Sequence, residues 1–156
     1  MKSEHNSLLT VHNNNVFVKN YKIVNKIDEG CEAAVFKALN VDNEFVALYH
    51  ISNRARALNR IQIHQVTNNI KGVVQMLDHF QIQESHAPVS QQVSILQQSG
   101  TIIVFEYMDG KSIDKCILKQ NIQTILDAIR QLTLIIDQLQ NSCFSSRHKT
   151  RQYLLL

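Results

Sequence analysis

The sequence predicts an α+β fold, in which about five short antiparallel strands and one helix come first and a long helix follows. Three observations carry that expectation. Between Tyr21 and Met108 short apolar runs bounded by turn residues read as strands, and one of them, Glu44 to His50, alternates as a half-buried strand requires. Beyond Asp109 and Gly110 the spacing changes to three and four, the period of a helix. With 156 residues, 44% of them hydrophobic, the chain is long enough to bury a core.

In chain order, residues 1–20 read as a polar, poorly ordered lead-in with a short apolar patch at Val16 to Val18. Residues 21–108 form the strand-rich part. "YKIVNKIDEG" and "AAVFKALN" are two strands around a turn at Gly30, and "EFVALYH" is a third after the turn-like "NVDN". In that third run Phe45, Ala47 and Tyr49 share one face and Val46 and Leu48 the other. "RARALNRIQIHQV" is a weakly periodic helix. "VVQMLDHFQI" and "TIIVFEYM" are two further strands, separated by the loop "QESHAPVSQQVSILQQSG", which holds the only proline, Pro88. Residues 109–156 carry the long helix, about Asn121 to Asn141. There Ile122, Ile125, Leu126, Ile129, Leu132, Ile136 and Leu139 recur at three or four, Leu134 and Ile135 widen the face, and Asn121 is a suitable cap.

Composition narrows the function classes. A net charge of +3 and few aromatic residues do not argue for nucleic acid. Cys31, Cys116 and Cys143 are odd in number and widely spaced, without a CxxC or a histidine at ligand spacing, so neither a disulfide framework nor a metal site is expected. Reduced thiols of an intracellular protein, cytoplasmic or nuclear, are the simpler reading. No apolar run is long enough for a signal peptide or a membrane helix. Asn and Gln supply about a fifth of the chain, a bias that carries no mechanism by itself.

The motifs form an ordered series. "IDEGCEAAV" sits where a glycine-rich loop would join the first two strands, "FVALYH" where Val-Ala-Ile-Lys would sit on the third, and "IIVFEYMDGKSI" where a hinge would follow the fifth. The tail "LQNSCFSSRHKTRQYLLL" lines up without a gap with Leu-His-x-x-Gly-Ile-x-His-Arg-Asp-Leu-Lys-Pro-x-Asn-Ile-Leu-Leu. From Tyr21 to Leu156 the chain thus resembles a eukaryotic-type protein kinase domain: an amino-terminal lobe and hinge, then the first helices of an incomplete carboxyl-terminal lobe. Such pieces are common singly. Their order and separations make the resemblance.

Nearly every chemistry-bearing position of that family is changed. A kinase loop reads G-x-G-x-x-G-x-V because its backbone approaches the phosphates. Here those positions are Asp28, Gly30, Ala33 and Val35, and Asp28, Glu29 and Glu32 put three carboxylates where a triphosphate would lie. Tyr49 takes the place of the lysine that pairs with the phosphates and with a glutamate on the following helix. A neutral phenol cannot replace an ammonium. From Phe45 to Leu77 there is no Asp or Glu, so that helix has no carboxylate partner in any register; Arg60 or Ile61 stands near its position. In the tail Ser146, Arg147 and His148 stand for His-Arg-Asp, Thr150 for the loop lysine and Tyr153 for the magnesium-binding asparagine. Only Arg147 persists. No acidic residue follows Asp137, so a catalytic base and a metal carboxylate are both missing there.

The resemblance also places a remnant of an adenine pocket, with Ile27, Val35, Ala47 and Phe105 as roof and back, Leu155 as floor, and the backbone of Glu106 and Met108 as hinge. It implies that no cofactor is required and that ATP binds weakly at best, without magnesium. The expected function is a catalytically inactive kinase-like (pseudokinase) domain that binds proteins or scaffolds. The alternative is a fragment or divergent form of an ATP-dependent serine/threonine-type kinase whose remaining catalytic parts lie elsewhere. The expected partner is another protein or a second copy, held through the helix around Ile122 to Leu139, with no nucleic acid and no membrane.

Overall fold

A computed structural model describes residues 8–109, 126–127 and 129–140 of the chain. It has an α+β fold whose centre is a single antiparallel sheet of seven strands, in the order β1-β2-β3-β4-β5-β7-β6. The strands are β1 (Leu9–His12), β2 (Asn15–Val18), β3 (Tyr21–Glu29), β4 (Ala34–Leu39), β5 (Phe45–Ile51), β6 (Met76–Ile82) and β7 (Gly100–Glu106). Helix α1 (Arg54–Thr67) follows β5, a 3-10 helix (Gln91–Gln97) lies between β6 and β7, and residues 126–127 and 129–140 form helix α2. By its contacts the chain divides into two units, Met1–Gln62 with Met76–Tyr107, and Ile63–Gln75 with Met108–Leu156.

Seven strands replace the expected five because residues 9–18 are not a loose lead-in. His12 pairs with Asn15, so Asn13 and Asn14 form a two-residue hairpin turn, with φ of 49° and 60°. Asparagine tolerates that left-handed conformation better than most side chains, and such turns match strand twist. Leu9 and Val18 on the resulting strands are fully enclosed, which repays the ordering of so polar a segment. Val18 then pairs with Tyr21 across a second two-residue turn that leads into β3.

The β4–β5 hairpin turns where expected, at "NVDN". The Asn40 side-chain oxygen accepts from the backbone N–H groups of Asp42 (2.9 Å) and Glu44 (2.8 Å), and Asn43 carries φ 60°.

Alternation gives the sheet two faces. One bears Leu9, Val18, Ile23, Phe36, Leu48, Ile102 and Val104, which form the core with Ile82 of β6 and with Val93 and Leu96 of the 3-10 helix. Burying side chains such as Phe36 and Leu48 stabilises the fold by about 1.5–3 kcal/mol each. The sheet curls around this core until β6, at one edge, meets the β2–β3 turn and the start of β3. The Lys19 ammonium lies 2.9 Å from the Asp78 carboxylate of β6, and the Tyr21 ring stacks parallel to that of Phe80 at 6.1 Å. The segment expected as a plain loop before β7 contributes the 3-10 helix and is pinned by hydrogen bonds from Ser85 N to Gln97 O (2.9 Å) and from Gln97 Nε2 to Ala87 O (2.7 Å).

Helix α1 covers the span expected of it. It begins at an Asn53 cap, whose side-chain oxygen accepts from Arg56 N at 3.0 Å, and turns Ala57 and Ile61 inward.

The second unit holds the end of α1, a turn through Ile70 and Gly72, and α2. Gly72 has φ 90° and lies so close to Ile135 of α2 that an added Cβ would sit 2.7 Å from its Cδ1. Beside this contact is an open groove of 410 Å³ lined by Lys71, Gly72, Gln131, Leu134, Ile135 and Gln138. Leu126, Ile129, Leu132, Leu134 and Ile136 remain exposed along α2. No helix among the described residues is long and apolar enough to cross a membrane.

Candidate functional site

The site develops on the second face of the sheet, opposite the core. Register determines which residues meet there: Val35 of β4 is opposite Tyr49 of β5, Lys37 is opposite Ala47, and Ala47 is in turn opposite Phe105 of β7. Residues paired across strands share a face, so Val35, Ala47, Tyr49 and Phe105 form one patch. Ala47 and Phe105 are buried, and Val35 and Tyr49 are partly covered. Of the other residues expected in a pocket, Ile27 is half-exposed at the bulge between Lys26 and Asp28. Glu106 ends β7 opposite Val46, and Met108 is 70% exposed beyond it. Leu155 and the tail positions Arg147, His148, Thr150 and Tyr153 lie outside the described residues, as do Ile122 and Ile125.

Tyr49 is the centre of the patch. Its ring meets Phe105 edge-on, with centroids 5.1 Å apart and planes at 81°, an arrangement that sets the positive ring edge against the negative face. Above the same ring lies the guanidinium of Arg60, its carbon 5.6 Å from the Tyr49 centroid. Of the two helix residues expected near this point, Arg60 lies over the Tyr49 ring and Ile61 is buried. The strand offers a π face and the helix a cation, an attraction of about 0.5–2 kcal/mol.

The β3–β4 loop is tied down by its own charges. Asp28 accepts from Glu29 N at 2.8 Å, the Glu29 carboxylate pairs with Lys26 at 2.6 Å, and that of Glu32 pairs with Arg56 of α1 at 3.1 Å. These pairs are solvent-exposed and contribute about 0–1 kcal/mol each, so they orient the loop more than they stabilise it. Gly30 donates to Ala33 O at 3.0 Å, closing a tight turn. An added Cβ at Gly30 would meet nothing within 4 Å, so the one surviving loop glycine is not required by packing.

Two features of the region were not read from the sequence. The Lys37 ammonium sits 3.7 Å from the Phe45 ring centroid and 4.2 Å from that of Tyr107, with the rings 5.8 Å apart. Phe45 and Tyr107 are far apart in the chain, and only the β5–β7 pairing makes them neighbours. On the core face, His50 is 1% exposed; its Nε2 lies 3.3 Å from Gln98 O, and its Nδ1 is buried without a hydrogen-bond partner. Burial pushes its pKa below the usual histidine value, and the bond to Gln98 O opposes part of that shift. Alternation puts Tyr49 and His50 on opposite faces, and the fold makes the His50 face the core.

Chemically, the patch offers aromatic faces, two cations engaged with them, and a loop carboxylate engaged with α1. Among the described residues no three His, Cys, Asp or Glu side chains are grouped so as to hold a metal ion. Comparison of the chain with protein-family models and with curated proteins finds no match.

Proposed function

We propose that this chain is a protein-kinase-like domain without phosphotransfer, serving as a protein-binding or regulatory scaffold. The observation that carries the reading is the Tyr49–Arg60 contact. Within the resemblance Tyr49 stands at the phosphate-binding lysine and Arg60 or Ile61 near its helix partner, and here the strand offers an aromatic ring over which the Arg60 cation lies. The strand–helix attachment persists in another form while the ammonium for the phosphates is absent. The strand frame supports the same reading: α1 follows the third strand of the series β3 to β7, and β7 pairs with β5 so that Ala47 and Phe105 adjoin, as two walls of one pocket would. A nucleotide at this patch would gain apolar contact with Val35, Ala47 and Phe105. It would lack charge-assisted phosphate bonds worth about 1.5–3 kcal/mol each and would face Asp28 and Glu32.

The test is direct. Purified chain incubated with labelled ATP, magnesium or manganese and generic protein substrates should show no incorporation above a boiled control, and Tyr49→Lys alone should not rescue it. In thermal-shift measurements any stabilisation should be equal for adenosine and ATP and unaffected by magnesium. Phosphotransfer by the wild-type chain, or stabilisation by Mg-ATP with none by adenosine, would sink the proposal.

A further inference from the structure

Helix α2 leaves apolar side chains in water in a regular way. Ile129, Leu132 and Ile136 are 54%, 53% and 54% exposed, and Leu126 beside them is 49% exposed. At 100° per residue these four fall within one stripe about a third of the circumference wide. Ile135 and Leu139, further round, are partly covered, and Leu134 projects from the opposite side.

Over its described length the stripe follows a heptad spacing. Ile129 and Ile136 are seven residues apart with Leu132 between them, an a-d-a spacing with isoleucine at a and leucine at d, and the partly covered Leu139 stands at the following d position; in the sequence the preceding a and d positions are both isoleucine, Ile122 and Ile125. β-branched a positions with leucine at d favour two parallel strands. The flanking e and g positions, Leu126, Thr133, Ile135 and Gln140, carry no charge. Asp127, Arg130 and Asp137 all lie on the outer face, where Arg130 pairs with Asp127 at 3.3 Å. Two identical helices can therefore meet along this seam without like charges opposed. A seam without flanking charges also lacks the usual device for selecting a different partner.

We propose that α2 is a self-association helix and that its occupant is α2 of a second copy, packed in parallel through Ile129, Leu132 and Ile136. This deepens the binding reading above and rests on it. A few half-exposed side chains per chain cover much less than the roughly 800 Å² per partner of a standard interface. The dimer is accordingly weak and reversible, with a Kd on the order of micromolar.

The experiment uses the full chain. Sedimentation velocity from about 1 to 100 μM should show a monomer–dimer equilibrium. Ile129→Lys with Ile136→Lys should weaken it at least about tenfold, because two buried a-position charges oppose their copies. Leu134→Lys, an equally exposed apolar residue off the seam, should leave it unchanged. In a background with Cys31, Cys116 and Cys143 replaced by serine, Ile136→Cys should cross-link to itself on oxidation, since a positions face each other in a parallel pair; Gln138→Cys should not. A monomer throughout the range, larger assemblies in place of a dimer, equal sensitivity to Leu134→Lys, or equal cross-linking at Gln138→Cys would each overturn the proposal. None of these results bears on phosphotransfer or nucleotide binding, so the two readings fail separately.

Discussion

A methyl group added at Gly100 would test the packing of the sheet around His50. An ideal Cβ there lies 2.5 Å from His50 Nε2, 3.1 Å from His50 Cδ2 and 3.0 Å from Ile51 O. The imidazole has nowhere to retreat, because it is enclosed on the core face and sits against Gln98 O. The carbonyl of Ile51 belongs to the ladder in which Ile51 pairs with Thr101, so moving it would disturb the β5–β7 ladder. Overpacking of this kind costs about 1–3 kcal/mol. The lower chain entropy of alanine in the unfolded state offsets about 0.4–1 kcal/mol, leaving a net loss of about 0–2.6 kcal/mol, centred on about 1.3 kcal/mol, for Gly100→Ala. Urea denaturation at fixed protein concentration reads this as a lower midpoint with an unchanged slope. The decisive comparison is a cycle with His50→Ala: once the ring is gone, Gly100→Ala should cost much less than in the wild type, giving a coupling of about 1 kcal/mol. An equal cost in both backgrounds would refute the reasoning.

His50 also gives the domain a pH dependence. Its folded pKa lies below the unfolded value of 6.5, so the unfolded chain binds the proton more readily; stability is fully present above about pH 6.5 and falls as the solution is acidified below it. His50→Gln should flatten that slope in melts between about pH 7 and 5, and an unchanged slope would count against the burial. Gly72 and Gly30 should differ. Gly72→Ala meets Ile135 at a φ of 90° and should cost about 1 kcal/mol or more, whereas Gly30→Ala, with open space around it, should stay within about 0.5 kcal/mol of the parent by thermal melting. Tyr49→Phe keeps the ring beneath Arg60 and should be nearly neutral, while Tyr49→Ala should cost more in the parent than in an Arg60→Ala background by about 0.5–1 kcal/mol; additivity of the two would remove the cation–π contact from the account.

Much of the frame was legible because it follows from spacing alone. The short apolar runs from Tyr21 to Glu106 are strands, the span from Arg54 is a helix, and the "NVDN" turn lies where its asparagines allow. Alternation also determined that Tyr49 and His50 face opposite ways, and the acid-free stretch from Phe45 to Leu77 determined that α1 carries no carboxylate towards Tyr49. Spacing cannot say which of two faces becomes core, nor whether a polar segment has a partner. The asparagine-rich stretch before Tyr21 looked unstructured because its stability is not local: Leu9 and Val18 are held by a core supplied from elsewhere in the chain. The same holds at the site. That Arg60 stacks on Tyr49, that Glu32 reaches Arg56, and that Lys37 lies against Phe45 and Tyr107 are decided by strand register and sheet curl, which bring together residues far apart in sequence. Local composition determined the elements and the residue types available for chemistry. Only the tertiary structure decided their neighbours, because burial and charge pairing are properties of contacts that the chain acquires by folding.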